Sequence, residues 1–202
     1  VWLVVKREIN GTIKRYVEYI TPRFDDDTTT LAHFVDSGLE YDGLPADTIT
    51  GLGHLEGETL SVLADGAVLP NVVVASGQVT IAREASYIHL GLPYESNIET
   101  LKIEAGAADG TAQGKTKRIH RVNARLYKTL GLQFGPNADT LDTLPFRTSV
   151  DAMGNPPALF TGDKTINWNA GYETEGVMYF RQSQPLPFTL LGLMPQLVTQ
   201  DR

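Results

Sequence analysis

The chain has 202 residues, 42% hydrophobic and 20% charged, with 24 acids against 17 bases and a formal net charge of −7. This is the composition of an ordinary globular chain, long enough for one large or two small cores, and its charge disfavours broad attraction to nucleic acid or an anionic membrane. The lack of cysteine excludes disulfides, thiol catalysis and cysteine-ligated zinc, and no run of about 18 apolar residues offers a membrane-spanning helix.

The sequence starts at Val1, inside an apolar run and without an initiating Met, so it reads as a fragment or a processed product. "VWLVV" is interrupted too soon by Lys6 and Arg7 to be a signal peptide. "VWLVVKREINGTIKRYVEYI" is two β-rich runs around Asn10-Gly11, a hairpin signal because a type I′ turn needs two positive φ angles. Asp25-Asp26-Asp27 lacks the alternation and closing Glu of a calcium loop and reads as a solvated linker. "DDDTTTLAHFV" is the best helical candidate, a single turn capped by Asp27 or Thr28.

The middle of the chain has dense turn punctuation. Asp42-Gly43, Asp65-Gly66 and Asp109-Gly110 repeat the hairpin signal, and "TLSVLADGAVLPNVVVASGQVTIA" reads as three strands broken at Asp65-Gly66 and Ser76-Gly77. In "HLEGE", His54, Glu56 and Glu58 alternate, and an extended backbone would align them to hold a divalent ion. Gly57 breaks that run and no fourth ligand follows, so a turn leading into "TLSVLA" needs fewer assumptions. His33, His54, His89 and His120 are too dispersed for a sequence-local metal site. Neither a metal nor a cofactor is expected.

"DGTAQGKTKR" (109–118) approaches a phosphate-binding loop, but only three residues separate Gly110 from Gly114 where four are required, and Asp109 would face the phosphates. The following "KRIHRVNARLYKT" alternates with period two, His120, Val122, Ala124 and Leu126 against Arg121, Asn123, Arg125 and Tyr127. A strand after a Gly-rich turn is a hairpin and offers no helix N-terminus to a phosphate. Six of the bases, Lys115, Lys117, Arg118, Arg121, Arg125 and Lys128, lie in this segment. As a strand it would present Lys115, Lys117, Arg121 and Arg125 in one row, either a contact for an acidic partner or a phosphate backbone, or a solvated face paired with acids such as Glu99 or Glu104.

Further strands are expected at "SYIHLGL", "ALFTG", "KTINWNA", "EGVMYFRQ" and "FTLLGL". Trp168, Tyr172, Tyr179 and Phe180 could line a sugar groove, but aromatic residues at strand spacing more often fill a core. No Gly-x-Ser-x-Gly elbow occurs, and no serine has a suggestive histidine nearby; no catalytic residue is named and the chain is not expected to be an enzyme. Leu186, Phe188 and Leu190, in the apolar stretch 186–191, are a further interface candidate, with core packing expected for at least half of that stretch.

These signals predict an all-β fold: a small β-barrel inserted into a larger antiparallel, β-sandwich-like domain, with very little helix. The barrel is expected over residues 34–103 and the sandwich over 104–202. The hairpin and linker of 1–33 should pair with 104–202, because a lone hairpin is marginal in water.

"FVDSGLEYDGLPADTITGLGHLEGETLSVLADGAVLPNVVVASGQVTI" resembles a module of bacteriophage and prophage tail-region proteins that is similar to the FCCH β-barrel of ubiquitin-activating enzymes. The landmarks are Asp36-Ser37-Gly38-Leu39, "GLGHLEGETLSVLADG" and "GLPYES", and the likeness continues through "GKTKRIHRVNARLYKTLGLQFG", "LFTGDKTINW" and "QSQPLPFTLLGLMPQ". The resemblance implies a non-catalytic virion component of the tail-nozzle type, assembled in the bacterial cytoplasm. It also implies a homo-oligomeric ring in the full-length protein, contacts with other tail or portal-region proteins, and DNA passage without tight binding. A host-surface glycan-binding module of a tail is the alternative. Ubiquitin chemistry is not implied, since no cysteine is present to carry a thioester.

Overall fold

Period-two burial marks residues 2–9, 12–19, 160–167 and 190–200, whereas residues 59–64 are buried almost throughout. The computed structural model describes residues 1–104 and 111–200. Their elements are thirteen strands and two single 3-10 turns, Thr29–Leu31 and Gly53–Leu55. Every sheet pairing is antiparallel, so the chain is all-β. The segment "DDDTTTLAHFV" yields only the first 3-10 turn, with Thr28 at its N-cap and no side-chain cap hydrogen bond.

Two compact units divide the described residues. The first begins with a hairpin, β1 (Trp2–Ile9) and β2 (Thr12–Tyr19), closed at Asn10 and Gly11 with φ of 47° and 71°. Both values are positive, as a type I′ turn demands. A four-stranded sheet follows, formed by β3 (Asp36–Thr50), β4 (Thr59–Ala64), β5 (Ala67–Val73) and β6 (Gln78–Leu92) in the order β3-β6-β4-β5. Asp65-Gly66 and Ser76-Gly77 make the same positive-φ pairs between its strands. Asp42-Gly43 instead lies inside β3, where the register slips between Asp42 and Ala46 and Tyr41 Oη donates to the Leu44 carbonyl at 2.7 Å. The dipeptide marks an irregular stretch of one long strand there, and Asp109-Gly110 lies outside the described residues.

The expected barrel is not closed, since β3 and β5 remain the two edges of an open sheet. Its aliphatic core, centred on Leu52, Leu55, Leu60, Val62, Ile88 and Leu90, also takes in Ile9 and packs against Tyr16 of the hairpin. The hairpin therefore belongs to this unit, and among the described residues its strands pair with each other and not with 104–202. Three local contacts explain this: burial of Ile9, donation from the Asn10 amide to Glu58 Oε1 at 2.8 Å, and donation from Tyr16 Oη to the His54 carbonyl at 2.8 Å. The unit boundary also falls earlier than expected, after Tyr94.

The second unit contains β7 (Ser96–Glu99), β8 (Thr116–Thr129), β9 (Leu132–Asn137), β10 (Thr140–Thr143), β11 (Phe160–Asn167), β12 (Tyr179–Gln182) and β13 (Leu190–Gln200). These form sheets of order β10-β9-β12-β7 and β11-β8-β13. Both sheets supply one core, with Val122, Leu126 and Ile166 from one and Phe134 and Phe180 from the other around Trp168, which is the layered arrangement of a sandwich. β7 joins this unit through its register with β12, from Tyr179↔Glu99 to Gln182↔Ser96.

Candidate functional site

The basic strand changes its inward face partway along. Ile119 pairs with Leu197 while Arg121 pairs with Gln196, which leaves His120 as an extra residue opposite β13. Such a bulge shifts the period-two pattern by one. Lys117 and Ile119 point inward before it, and Val122, Ala124 and Leu126 point inward after it. On the β11 side, the His120 carbonyl accepts the Trp168 amide at 3.1 Å.

The expected row of four bases is broken as a result. Lys117 is 1% exposed, and its Nζ donates to the Thr174 carbonyl at 3.1 Å. Its backbone exchanges hydrogen bonds with Glu173 at 2.7 and 2.8 Å. Burial pushes the Glu173 carboxyl up, the Glu175 charge adds to the rise, and Lys117 opposes it. Lys115 is half-buried just before the strand, whereas Arg121 and Arg125 are exposed. Arg125 sits opposite Asp163 in the register and donates to it twice, Nε at 2.7 Å and Nη2 at 2.8 Å. The hydrogen bond, then the charge, raises the arginine and lowers the aspartate. The acid paired with an arginine of this strand is thus Asp163, while Glu173 lies opposite Lys117. Glu99 lies in β7, and Glu104 accepts the Thr111 hydroxyl at 2.7 Å and the Ala112 amide at 2.9 Å.

Of the phosphate-loop look-alike, Asp109 and Gly110 lie outside the described residues. Its remainder is a turn, with Gly114 at φ 81° and the Lys115 amide on the Ala112 carbonyl at 3.3 Å, and it leads directly into β8. The apolar candidates have packing roles: Leu186 is buried, while Phe188 and Leu190 pack against the second core. Trp168, Tyr179 and Phe180 are buried as well; Tyr172 is exposed beneath the Arg118 guanidinium, 5.7 Å from the ring centroid.

"HLEGE" holds backbone in place. Glu56 accepts the amides of Ser76 and Gly77 at 2.8 and 2.7 Å, and Glu58 accepts that of Asn10. Carboxylates satisfying turn amides in this way join the β5–β6 turn and the N-terminal hairpin to one short segment.

Two surface features had no signal in the local pattern. The outer face of the hairpin carries Trp2, Val4 and Val17 at 73%, 73% and 71% exposure, beside Tyr19 and Ile13. The Trp2 and Tyr19 rings pair at 5.4 Å. The inner face is held by Arg7, which donates to Glu18 at 2.9 and 3.1 Å, while Ser37 Oγ donates to the same carboxylate at 2.6 Å. Those hydrogen bonds lower Glu18 and raise Arg7.

The second feature is a polar cluster of His33, Glu40 and His89, each presenting a ligand atom within 4.8 Å of the others. Glu40 and His89 are direct partners across β3 and β6, and the chain after the first 3-10 turn brings His33 to them. The two imidazoles meet edge to face with centroids 3.9 Å apart. His89 is buried, its Nε2 lies 3.2 Å from the Thr30 carbonyl, and burial with the adjacent His33 pushes its pKa down to about 4. Tyr87 Oη donates to Glu40 Oε1 at 2.5 Å, and burial together with that bond pushes the phenol up to about 12. The pairing of positions 40 and 89 joins residues far apart in the chain, so no local spacing could announce it.

No protein-family model matches the chain, and no curated protein matches it.

Proposed function

We propose that this chain is a non-catalytic structural component of a phage virion tail, of the nozzle type, acting through contacts with other protein chains. The observation that carries this reading is the outer face of the N-terminal hairpin. A two-stranded ribbon whose strands pair only with each other among the described residues, carrying Trp2, Val4, Ile13, Val17 and Tyr19 in solvent, has the surface of a protein contact. The resemblance of segments between Phe34 and Gln196, in the same order along the chain, to phage tail-region proteins supplies the context: a homo-oligomeric ring in the full-length protein, with tail or portal-region neighbours, located in the virion.

Charge supports passage of DNA without capture. The net charge is −7, Lys117 is buried, and Arg125 is engaged by Asp163, so two of the six bases are withdrawn from phosphates, and Arg118 and Arg121 remain exposed on an otherwise acidic chain. The glycan-binding alternative could use the middle module or the aromatic strands, and three of the four aromatic residues named for it are in the core.

Reconstruction of a virion carrying the full-length protein tests the reading directly. A ring near the portal is expected, with the hairpin face against a neighbouring chain. A full-length protein monomeric both in solution and in the particle would overturn the ring, and tight, salt-sensitive DNA binding by this chain would overturn the passive conduit.

A further inference from the structure

We infer that His33, Glu40 and His89 form a binding site for a divalent transition-metal ion of the zinc class. Two imidazoles and one carboxylate make the mixed nitrogen and oxygen donor set that zinc accepts, with a coordination position left for water or a further ligand. The three ligand atoms already converge within 4.8 Å from three segments of the first unit. Antiparallel register sets Glu40 opposite His89, and the imidazoles are 3.9 Å apart between centroids. His33 and Glu40 are exposed and give an ion a way in, whereas His89 is buried and forms the floor.

The neighbouring groups support the assignment independently. A carbonyl only accepts, so the 3.2 Å contact with Thr30 places the His89 proton on Nε2 and leaves the Nδ1 lone pair for an ion. Tyr87 Oη donates to Glu40 Oε1 and orients the carboxylate while leaving its second oxygen available. This is the outer-shell arrangement that fixes metal ligands, with one hydrogen-bond partner for His89 and one for Glu40. "HLEGE" differs in this respect, since Glu56 and Glu58 already accept turn amides. A bound ion would tie the segment around His33 to β3 and β6 at the exposed edge of their sheet.

The test uses the intact chain, stripped with a chelator and titrated calorimetrically with zinc, with cobalt(II) absorption as a second readout of ligand geometry. One saturable equivalent is expected, accompanied by a rise in Tm. His33→Ala and Glu40→Gln should abolish both effects; these residues are exposed, so the variants keep the fold even if a His89 substitution does not. Tyr87→Phe should weaken binding by about tenfold through loss of the carboxylate's partner, and His120→Ala, at an exposed histidine elsewhere, should leave it unchanged. Failure of the parent chain to saturate at one equivalent would overturn the site. So would parent-like binding by His33→Ala and Glu40→Gln, or loss of binding in His120→Ala.

Discussion

The first unit packs aliphatic side chains, Leu52, Leu55, Leu60, Val62, Ile88 and Leu90, while the second packs Phe134, Trp168 and Phe180 between two sheets. Their wiring differs too. Strands β4 and β5 pair through a two-residue turn and β6 follows four residues after β5, whereas β8 pairs with β11 and β13 from far along the chain. In the first unit, turn chemistry confines much of the register to neighbours. In the second, register depends on a bulge at His120 and on a close backbone approach at Gly135, neither of which a local pattern announces.

The aromatic core gives the largest expected effects. Trp168→Ala should cost about 3–5 kcal/mol in urea denaturation, from lost burial and the cavity left behind. Trp168→Phe should cost far less than that, because the buried Nε1 has no hydrogen-bond partner and removing it relieves an unsatisfied donor. Equal losses for both variants would show that this donor is satisfied in solution.

Gly135 sharpens the contrast in backbone terms. A Cβ built there would stand 1.8 Å from the Thr140 carbonyl oxygen, so Gly135→Ala must separate β9 from β10 and should cost at least about 3 kcal/mol. Gly192→Ala, with open space around the new methyl, is the control in the same unit and should retain near-parent stability. Parent-like denaturation of Gly135→Ala would remove the close approach as a determinant of the second unit.

The first unit should respond to acid through His89. Its folded pKa of about 4 lies below the ordinary 6.5, so the unfolded chain takes up the proton first. This contribution to stability is complete above about pH 6.5, is lost progressively as pH falls toward 4, and amounts to at most about 3 kcal/mol. Denaturation of the parent and His89→Gln in chelator across that window checks it. Identical pH profiles would place the titration elsewhere.

Lys117 is the second unit's buried charge. Lys117→Met keeps the length of the stem and removes the charge, so stability should stay level or rise by about 1 kcal/mol; a clear loss would mean that the bond to Thr174 outweighs desolvation. The smallest effect is expected at Arg125→Ala, where both partners of the Asp163 pair are about half exposed, at 55% and 48%. Thermal melts should barely distinguish it from the parent.

Much of the first unit was legible because its signals are local. Asn10-Gly11, Asp65-Gly66 and Ser76-Gly77 each adopt the positive-φ pair that their residue types favour. Asp42-Gly43 carries the same signal and lies within a strand, since continuous pairing of β3 with β6 on both sides outweighs turn preference. The hairpin was legible as a hairpin, but its docking partner depended on where Ile9, Asn10 and Tyr16 find their contacts. In β8, alternation set His120, Val122, Ala124 and Leu126 on one face; the last three are buried, while His120 is the exposed extra residue of the bulge, which puts Lys117 inside as well. The candidate cluster was illegible for a related reason: three unremarkable positions, 33, 40 and 89, become neighbours only through β3–β6 pairing.

By itself the sequence determined an all-β chain, with most of the two-residue turns in place, because strand alternation and positive-φ preference are properties of adjacent residues. Tertiary structure alone decided which sheets form, that the first stays open, that the hairpin covers its core, and that two imidazoles meet a carboxylate at its edge. Those outcomes depend on side-chain burial and backbone pairing between distant positions, and a one-residue slip in that pairing exchanges the inner and outer faces of a strand.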